Sequence, residues 1–116
     1  MSDCVFCKLI SKEIPTKFLY EDKDILAFKD RNPLAPIHIL IIPREHIENI
    51  TKLEEKDQEL MGKMILLAKT LAEKENIAEK GYKLLFRVKE NGGQEVPHIH
   101  LHLIGGAKLT ENIHSV

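Results

Sequence analysis

Three histidines, His98, His100 and His102, alternate with Ile99, Leu101 and Leu103 in the run Pro-His-Ile-His-Leu-His-Leu-Ile of residues 97–104. Side chains repeat with period two along a strand, so the imidazoles share one face and the aliphatic residues the other. Near neutral pH imidazole is the side chain best suited to proton transfer, nucleophilic attack and metal ligation. At a rise of roughly 3.3 Å per residue, His98 and His102 lie about 13 Å apart, and zinc–nitrogen bonds of about 2.0 to 2.1 Å let one ion take at most two neighbours of the row. The row must therefore divide its work.

Cys4 and Cys7 are the only cysteines and have C-x-x-C spacing. In a reducing compartment this spacing suits a metal site or a redox pair better than a structural disulfide. The redox reading needs the motif between a strand and a helix of a βαβ unit, which residues so near the start of the chain do not supply. Two more histidines stand out: His38 inside an apolar run bounded by Pro36 and Pro43, and His46 in the turn that follows.

The elements that must position these residues can be read from periodicity. Asp3 can cap a short helix over residues 4–11, with Val5, Phe6, Leu9 and Ile10 apolar. Residues 17–21 and 25–29 read as a hairpin with a polar turn, and residues 37–42 as a strand buried on both faces. Residues 51–76 carry Leu60, Met64, Leu67, Ala68 and Leu71 at helical spacing, with Met61 and Ile65 widening the stripe, and predict one long helix in which Gly62 marks close packing. Gly81 is the expected stop signal, residues 82–88 the fourth strand and residues 97–104 the fifth. This order, with no repeated βαβ unit, predicts an α+β fold on one antiparallel sheet, in a single domain of residues 1–116.

Composition excludes several classes. With 17 basic against 18 acidic residues, the formal charge of −1 offers no general attraction for a nucleic acid polymer. No run reaches the length of a membrane span, and the first residues lack signal-peptide features, so a cytoplasmic protein is expected.

The run His98-Ile-His100-Leu-His102-Leu-Ile resembles the pattern of the histidine-triad (HIT) superfamily of nucleotide hydrolases and transferases. So do Cys4-x-x-Cys7-Lys-Leu-Ile, Glu13-Ile-Pro15, Tyr20-Glu-Asp, Ala27-Phe-x-Asp30, Pro36-x-His38, Ile42-Pro43-x-x-His46-Ile and Gly92-Gly-Gln94-x-Val-x-His98, which are similar to the nucleotide-binding, purine nucleoside phosphoramidase branch. The resemblance covers nearly the whole chain. It implies a HIT-like fold of five antiparallel strands, one long helix and one short N-terminal helix, and a homodimer in which two sheets join. It implies hydrolysis at the α-phosphorus of purine nucleotide conjugates of AMP or GMP, with His100 as nucleophile through a nucleotidyl-histidine and no catalytic metal. His102 and Gln94 would contact the phosphate or leaving group, His38 would support the site, and Asp30 would bind the ribose. From the residues alone, His38 also reads as a packing residue and Asp30 as a turn aspartate. In zinc-containing branches Cys4, Cys7, His46 and His98 correspond to a structural zinc site, although the same residues could stand unmetallated.

Three departures bear on substrate. Glu95 stands where phosphoramidase-type members have a serine, Arg87 where they have an asparagine, and the tail lacks tryptophan. Arg87 reads either as a phosphate contact or as a solvated strand-edge charge. Two other functions stay open beside the phosphoramidase: a dinucleoside polyphosphate hydrolase, and a nucleotide-sensing protein with incidental turnover. A zinc hydrolase built on the triad is disfavoured, because no acidic general base is evident beside a shared ion.

Overall fold

A computed structural model of the chain describes residues 4–116. Helix α1 (Val5–Ile10) is followed by strands β1 (Phe18–Glu21), β2 (Ile25–Lys29) and β3 (Ile37–Pro43), helix α2 (Gln58–Lys74), and strands β4 (Tyr82–Leu85) and β5 (Leu101–Gly105). The strands form one sheet in the order β1-β2-β3-β5-β4, antiparallel throughout. The fold is the α+β architecture expected from the element order.

Strand alternation builds two cores. Ile25 and Ala27, Ile39 and Ile41, and Leu101 and Leu103 point to one face, where Met64, Leu67, Ala68 and Leu71 of α2 cover them. Leu26 and Phe28 with Leu40 and Ile42 point to the other face, beneath Phe6 and Leu9 of α1. Because side chains on a strand alternate, His102 falls on the α1 face, and it pairs with Leu40 across the β3–β5 ladder. The face carrying the histidines is thus roofed by α1.

Several boundaries differ from the sequence reading, each for a local reason. Asp3, the expected cap of the first helix, lies outside the described residues; Cys4 occupies the cap position, its sulfur accepting the Cys7 N–H at 3.4 Å. The long helix begins at Gln58, not residue 51. Before it run two single 3₁₀ turns, Ile50–Lys52 and Glu55–Asp57, separated by the extended residues Leu53 and Glu54. The buried Asp57 carboxylate accepts the Glu54 N–H at 2.9 Å and fixes the second turn as the start of α2.

At the other end Asn76, not Gly81, stops the helix. Asn76 adopts φ +61°, the Ile77 N–H donates to Ala72 O at 3.0 Å and the Asn76 N–H to Glu73 O at 3.1 Å. These two bonds form a Schellman motif, for which asparagine is the usual alternative to glycine. Within α2, Ile65 is exposed, outside the buried stripe, and a Cβ on Gly62 would meet nothing within 4 Å. The close packing expected at Gly62 is therefore not made inside this chain.

The histidine strand is also shorter than its sequence pattern. Only residues 101–105 pair in the sheet; β4 ends its ladder at Leu85, opposite His102, and β3 pairs no further than Ile41 with Leu101. With both neighbours gone, the backbone of residues 98–100 finds other partners: the Ile99 N–H donates to Ile47 O at 2.7 Å and the His98 N–H to Val96 O at 2.8 Å. Among the described residues no helix is long and apolar enough to cross a membrane.

Asn76→Val should cost about 1–2 kcal/mol, because a β-branched residue is strained in the left-handed region, whereas Asn76→Gly should hold or raise stability. Urea unfolding of the two variants against the parent chain tests this; equal losses in both would place the helix stop elsewhere.

Candidate active site and candidate metal centre

The chemistry of the histidines follows from which ring nitrogen carries the proton, and burial leaves few choices. A neutral imidazole has one N–H and one lone pair. His100 Nδ1 lies 2.7 Å from the backbone oxygen of His98, which can only accept, so Nδ1 is the protonated nitrogen. The lone pair of His100 is therefore on Nε2. Burial pushes the His100 pKa below its ordinary value, against the hydrogen bond to the His98 carbonyl and the fields of Asp30 and Glu95, which favour the charged form. The ring is neutral at pH 7 and able to act as a nucleophile.

A second relay fixes His102. The Leu34 N–H donates to His38 Nδ1 at 3.0 Å, so His38 carries its proton on Nε2. His38 Nε2 lies 2.9 Å from His102 Nδ1 and donates to it, which leaves the His102 proton on Nε2. That Nε2 is buried and has no hydrogen-bond partner among the described residues. A buried donor without an acceptor is costly, and here it sits beside His100, the two ring centroids 4.9 Å apart. The pair presents a lone pair and an N–H side by side. Burial, then the fields of His100 and His38, lowers the His102 pKa to about 3. His38 is also held low, chiefly by burial, with Asp30 opposing.

Asp30, just past β2, accepts the Asn32 N–H at 2.8 Å and lies 3.4 Å from His38 Nε2. It is thus a turn aspartate and a member of the histidine cluster at once. It lines a cavity of about 410 Å³ together with Phe6, Leu9, Phe28, Leu40, Val96, His100 and His102. Its lining combines apolar side chains with polar and charged ones, as ligand cavities commonly do. Sequence reasoning does not single out Phe6, Phe28 or Leu40 for this slot; the period-two alternation of Leu26 with Phe28 and of Leu40 with Ile42 is the signal that could have found them.

Gln94 is not brought into this cavity. Its Nε2 donates to Glu48 O at 2.7 Å and Val96 O at 2.9 Å, and its Oε1 accepts the Lys89 N–H at 2.9 Å. With its amide taken up by backbone groups, Gln94 braces the loop before the histidines and lines a neighbouring cavity with Glu48 and Asn49. Glu95, next in sequence, does line the histidine cavity.

At the other end of the row, Cys4, Cys7, His46 and His98 each bring one ligand atom within 4.8 Å of the others. The contacts are 3.5 Å from Cys4 Sγ to His98 Nδ1, 3.3 Å from Cys7 Sγ to His46 Nδ1, 3.7 Å from Cys7 Sγ to His98 Nδ1, and 3.2 Å between the two Nδ1 atoms. Zinc bonds of about 2.3 Å to sulfur and 2.0–2.1 Å to nitrogen span a tetrahedron with N–N edges of about 3.3 Å and S–N edges of about 3.5 Å. The donor set fits that ion. His98 is 0% exposed and donates from Nε2 to Pro43 O at 2.8 Å, which turns its Nδ1 lone pair toward the cysteines. Such an outer partner is characteristic of a ligating histidine. Burial and the adjacent Cys4 push the Cys7 thiol up, so without a cation the pair resists becoming a dithiolate. Asp30, His38 and His102 form a second close group. Their 2.9 Å nitrogen contact is shorter than a zinc tetrahedron edge and is accounted for as a hydrogen bond.

The comparisons with known proteins bear on the family and the fold. The HIT domain family matches residues 11–109. The purine nucleoside phosphoramidase of Escherichia coli (strain K12) is 44% identical over 107 residues, 92% of this chain and 90% of the relative. Protein HitA of Neisseria gonorrhoeae is 41% identical over 105 residues, 90% of this chain and 97% of its own length. Among solved structures, a HIT family hydrolase from Legionella pneumophila Philadelphia 1 superposes with a TM-score of 0.91 at 50% identity, covering 94% of this chain and 97% of that one. A histidine triad protein from Clostridium difficile gives a TM-score of 0.92 at 34% identity, covering 97% and 98%.

The depressed histidine pKa values make stability depend on pH. The folded protein keeps these rings neutral, while the unfolded chain takes up protons below about pH 6.5. Stability is therefore expected to fall by up to a few kcal/mol as pH drops from about 6.5 to 4.5, toward the value of about 3 held by His102. Guanidine unfolding at several pH values should show this slope, and a smaller one in His102→Gln; identical slopes would mean that His102 is not buried neutral.

Proposed function

The chain belongs to the HIT domain family, and from that premise we propose that it hydrolyses purine nucleoside 5′-phosphoramidates at the α-phosphorus through a nucleotidyl-histidine on His100. One observation carries the reading: His100, with its lone pair on Nε2, and His102, whose Nε2–H has no partner among the described residues, line one cavity together with Phe6, Leu9, Phe28 and Leu40. The base occupies the slot, Asp30 takes a ribose hydroxyl, and His102 donates to a non-bridging phosphate oxygen. Donors set in advance where charge builds up are usually the largest contribution to such catalysis.

In the first step His100 Nε2 bonds to phosphorus as the phosphorus–nitrogen bond breaks, and the leaving nitrogen keeps the electron pair and takes a proton from solvent. Water then attacks phosphorus, the pair of the breaking phosphorus–Nε2 bond returns to the ring, and a proton of that water is released. The products are the nucleoside monophosphate and the free amine. The His98 carbonyl stabilises the positive charge on His100 between the steps by accepting its Nδ1–H. His38 acts through His102 as a positioning residue, and Gln94 through its loop.

Zinc is the metal proposed for Cys4, Cys7, His46 and His98, where it supplies a structural crosslink between α1 and the sheet and takes no part in the displacement. Two thiolate ligands also accord with a reducing, cytoplasmic location. The assembly proposed is a homodimer. Strand β4 has an open edge, and the uncovered Gly62 with exposed Ile65 and Leu66 leaves an apolar strip on α2; both are surfaces a second copy could cover.

Rapid quenching with adenosine 5′-phosphoramidate and intact mass spectrometry should reveal an adenylyl adduct, absent in His100→Ala, whose turnover should fall at least about a thousandfold. Binding of AMP with neither adduct nor turnover would favour the nucleotide-sensing function. For the metal, elemental analysis should find about one zinc per chain, and Cys7→Ser or a strong chelator should lower the melting temperature by at least about 5 °C. A chain that contains no zinc after purification with zinc present would remove the metal from the reading.

A further inference from the structure

His100 and His102 border a second cavity, which shares Asp30, Asn32 and Glu95 with the first and adds Arg87. It has a volume of about 430 Å³, and Arg87, Asn32, Leu34 and Glu95 line it along with the two histidines. With a base in the apolar slot and phosphorus at the histidine pair, this is the adjoining space left for the leaving group.

Arg87 lies two residues beyond β4 and is half-buried. Among the described residues it has no carboxylate within 4.0 Å. A guanidinium partly withdrawn from water with no counter-charge is unfavourable until an anion meets it. Its place is set by packing. Gly93 turns at φ +79°, and a Cβ there would lie 3.8 Å from Arg87 Cδ and 4.0 Å from Nη1, so the loop rests directly on this side chain. The charge reaches the reacting groups, since its field lowers the proton affinity of His38, His100 and His102. Glu95 and Asp30 are the opposing charges in the cavity; Glu95 is exposed and water screens it more than Arg87, while the Asp30 carboxylate is engaged by the Asn32 N–H and lies 3.4 Å from His38 Nε2.

We propose that Arg87 binds an anion carried by the leaving group, so that the substrates of this site are nucleoside monophosphates joined to a partner bearing a carboxylate or a phosphate. This rests on the reading of His100 and His102 as the phosphoryl-transfer pair. Carboxylate and phosphate both suit the planar fork of arginine, which can engage two oxygens at once. The site thus reads the leaving group as well as the nucleotide.

Binding measured in the His100→Ala chain, with and without Arg87→Gln, separates this inference from turnover. The three probes are adenosine 5′-phosphoramidate, AMP linked through nitrogen to glycine, and diadenosine tetraphosphate. Arg87→Gln should weaken the glycine or the tetraphosphate probe about ten- to a hundredfold more than the simple amide, in line with loss of a charged hydrogen bond. Because any indirect effect on the histidines acts on all three probes, only the difference counts. Loss confined to the glycine probe identifies a carboxylate, and loss confined to the tetraphosphate a phosphate. Equal changes for all three would overturn the proposal, whatever the parent chain hydrolyses. Arg87→Lys, which keeps the charge and loses the fork, should fall between the two and keeps the test readable if the glutamine variant unfolds. Absence of turnover in the parent chain would instead count against the phosphoramidase reading alone.

Discussion

Burying imidazoles is possible only if each ring is neutral and its single N–H has somewhere to go. This protein buries four, His38, His98, His100 and His102, and the rest of the site depends on how their protons are assigned. Fixed acceptors and donors on the backbone make the assignment: Pro43 O for His98, His98 O for His100 and the Leu34 N–H for His38. From these three contacts the direction of every other ring follows. The one N–H left over, on His102, has no acceptor among the described residues.

The sheet makes this assignment possible by placing His38 and His102 on adjacent strands of the same face. Helix α1 completes the enclosure. Phe6 packs edge-on against both His98 and His100, with centroids at 5.8 and 5.1 Å, and also lines the base slot. The six-residue helix is too short to persist alone. Its packing against the sheet holds it there, so the candidate metal centre at its start and the cavity lined by His100 and His102 share a wall.

Much of this was legible in the sequence because it rests on local pattern. Apolar runs bounded by turn residues located four strands and period-two alternation the fifth, and the resemblance to zinc-containing family members anticipated the group of Cys4, Cys7, His46 and His98 that converges. What was not legible depends on where partners stop. Nothing in Pro97 to His100 announces that β3 and β4 withdraw before reaching them, so a continuous strand was the natural expectation. Helical periodicity ran through residues 51–57 because Leu53 and Glu54 break it only by extending their backbone. Gly81 outranked Asn76 as a stop because a Schellman pair of hydrogen bonds has no strict sequence signature. The bracing role of Gln94 was not legible for a related reason: its amide meets backbone groups of Lys89, Glu48 and Val96, contacts that composition does not reveal.

The clamp on His100 is a main-chain carbonyl, whereas the support of His102 is another side chain. The two halves of the pair are therefore exposed to mutation in different ways. Any residue at position 98 retains the carbonyl, so natural variation can exchange the His98 side chain, and with it a member of the candidate metal centre, while His100 keeps its tautomer. His38 and His102 have no such freedom, since a change in either ring reassigns the proton of the other. Lineages descending from this architecture can lose the candidate metal centre in a single substitution, but can alter the His102 N–H only by changing two strands together.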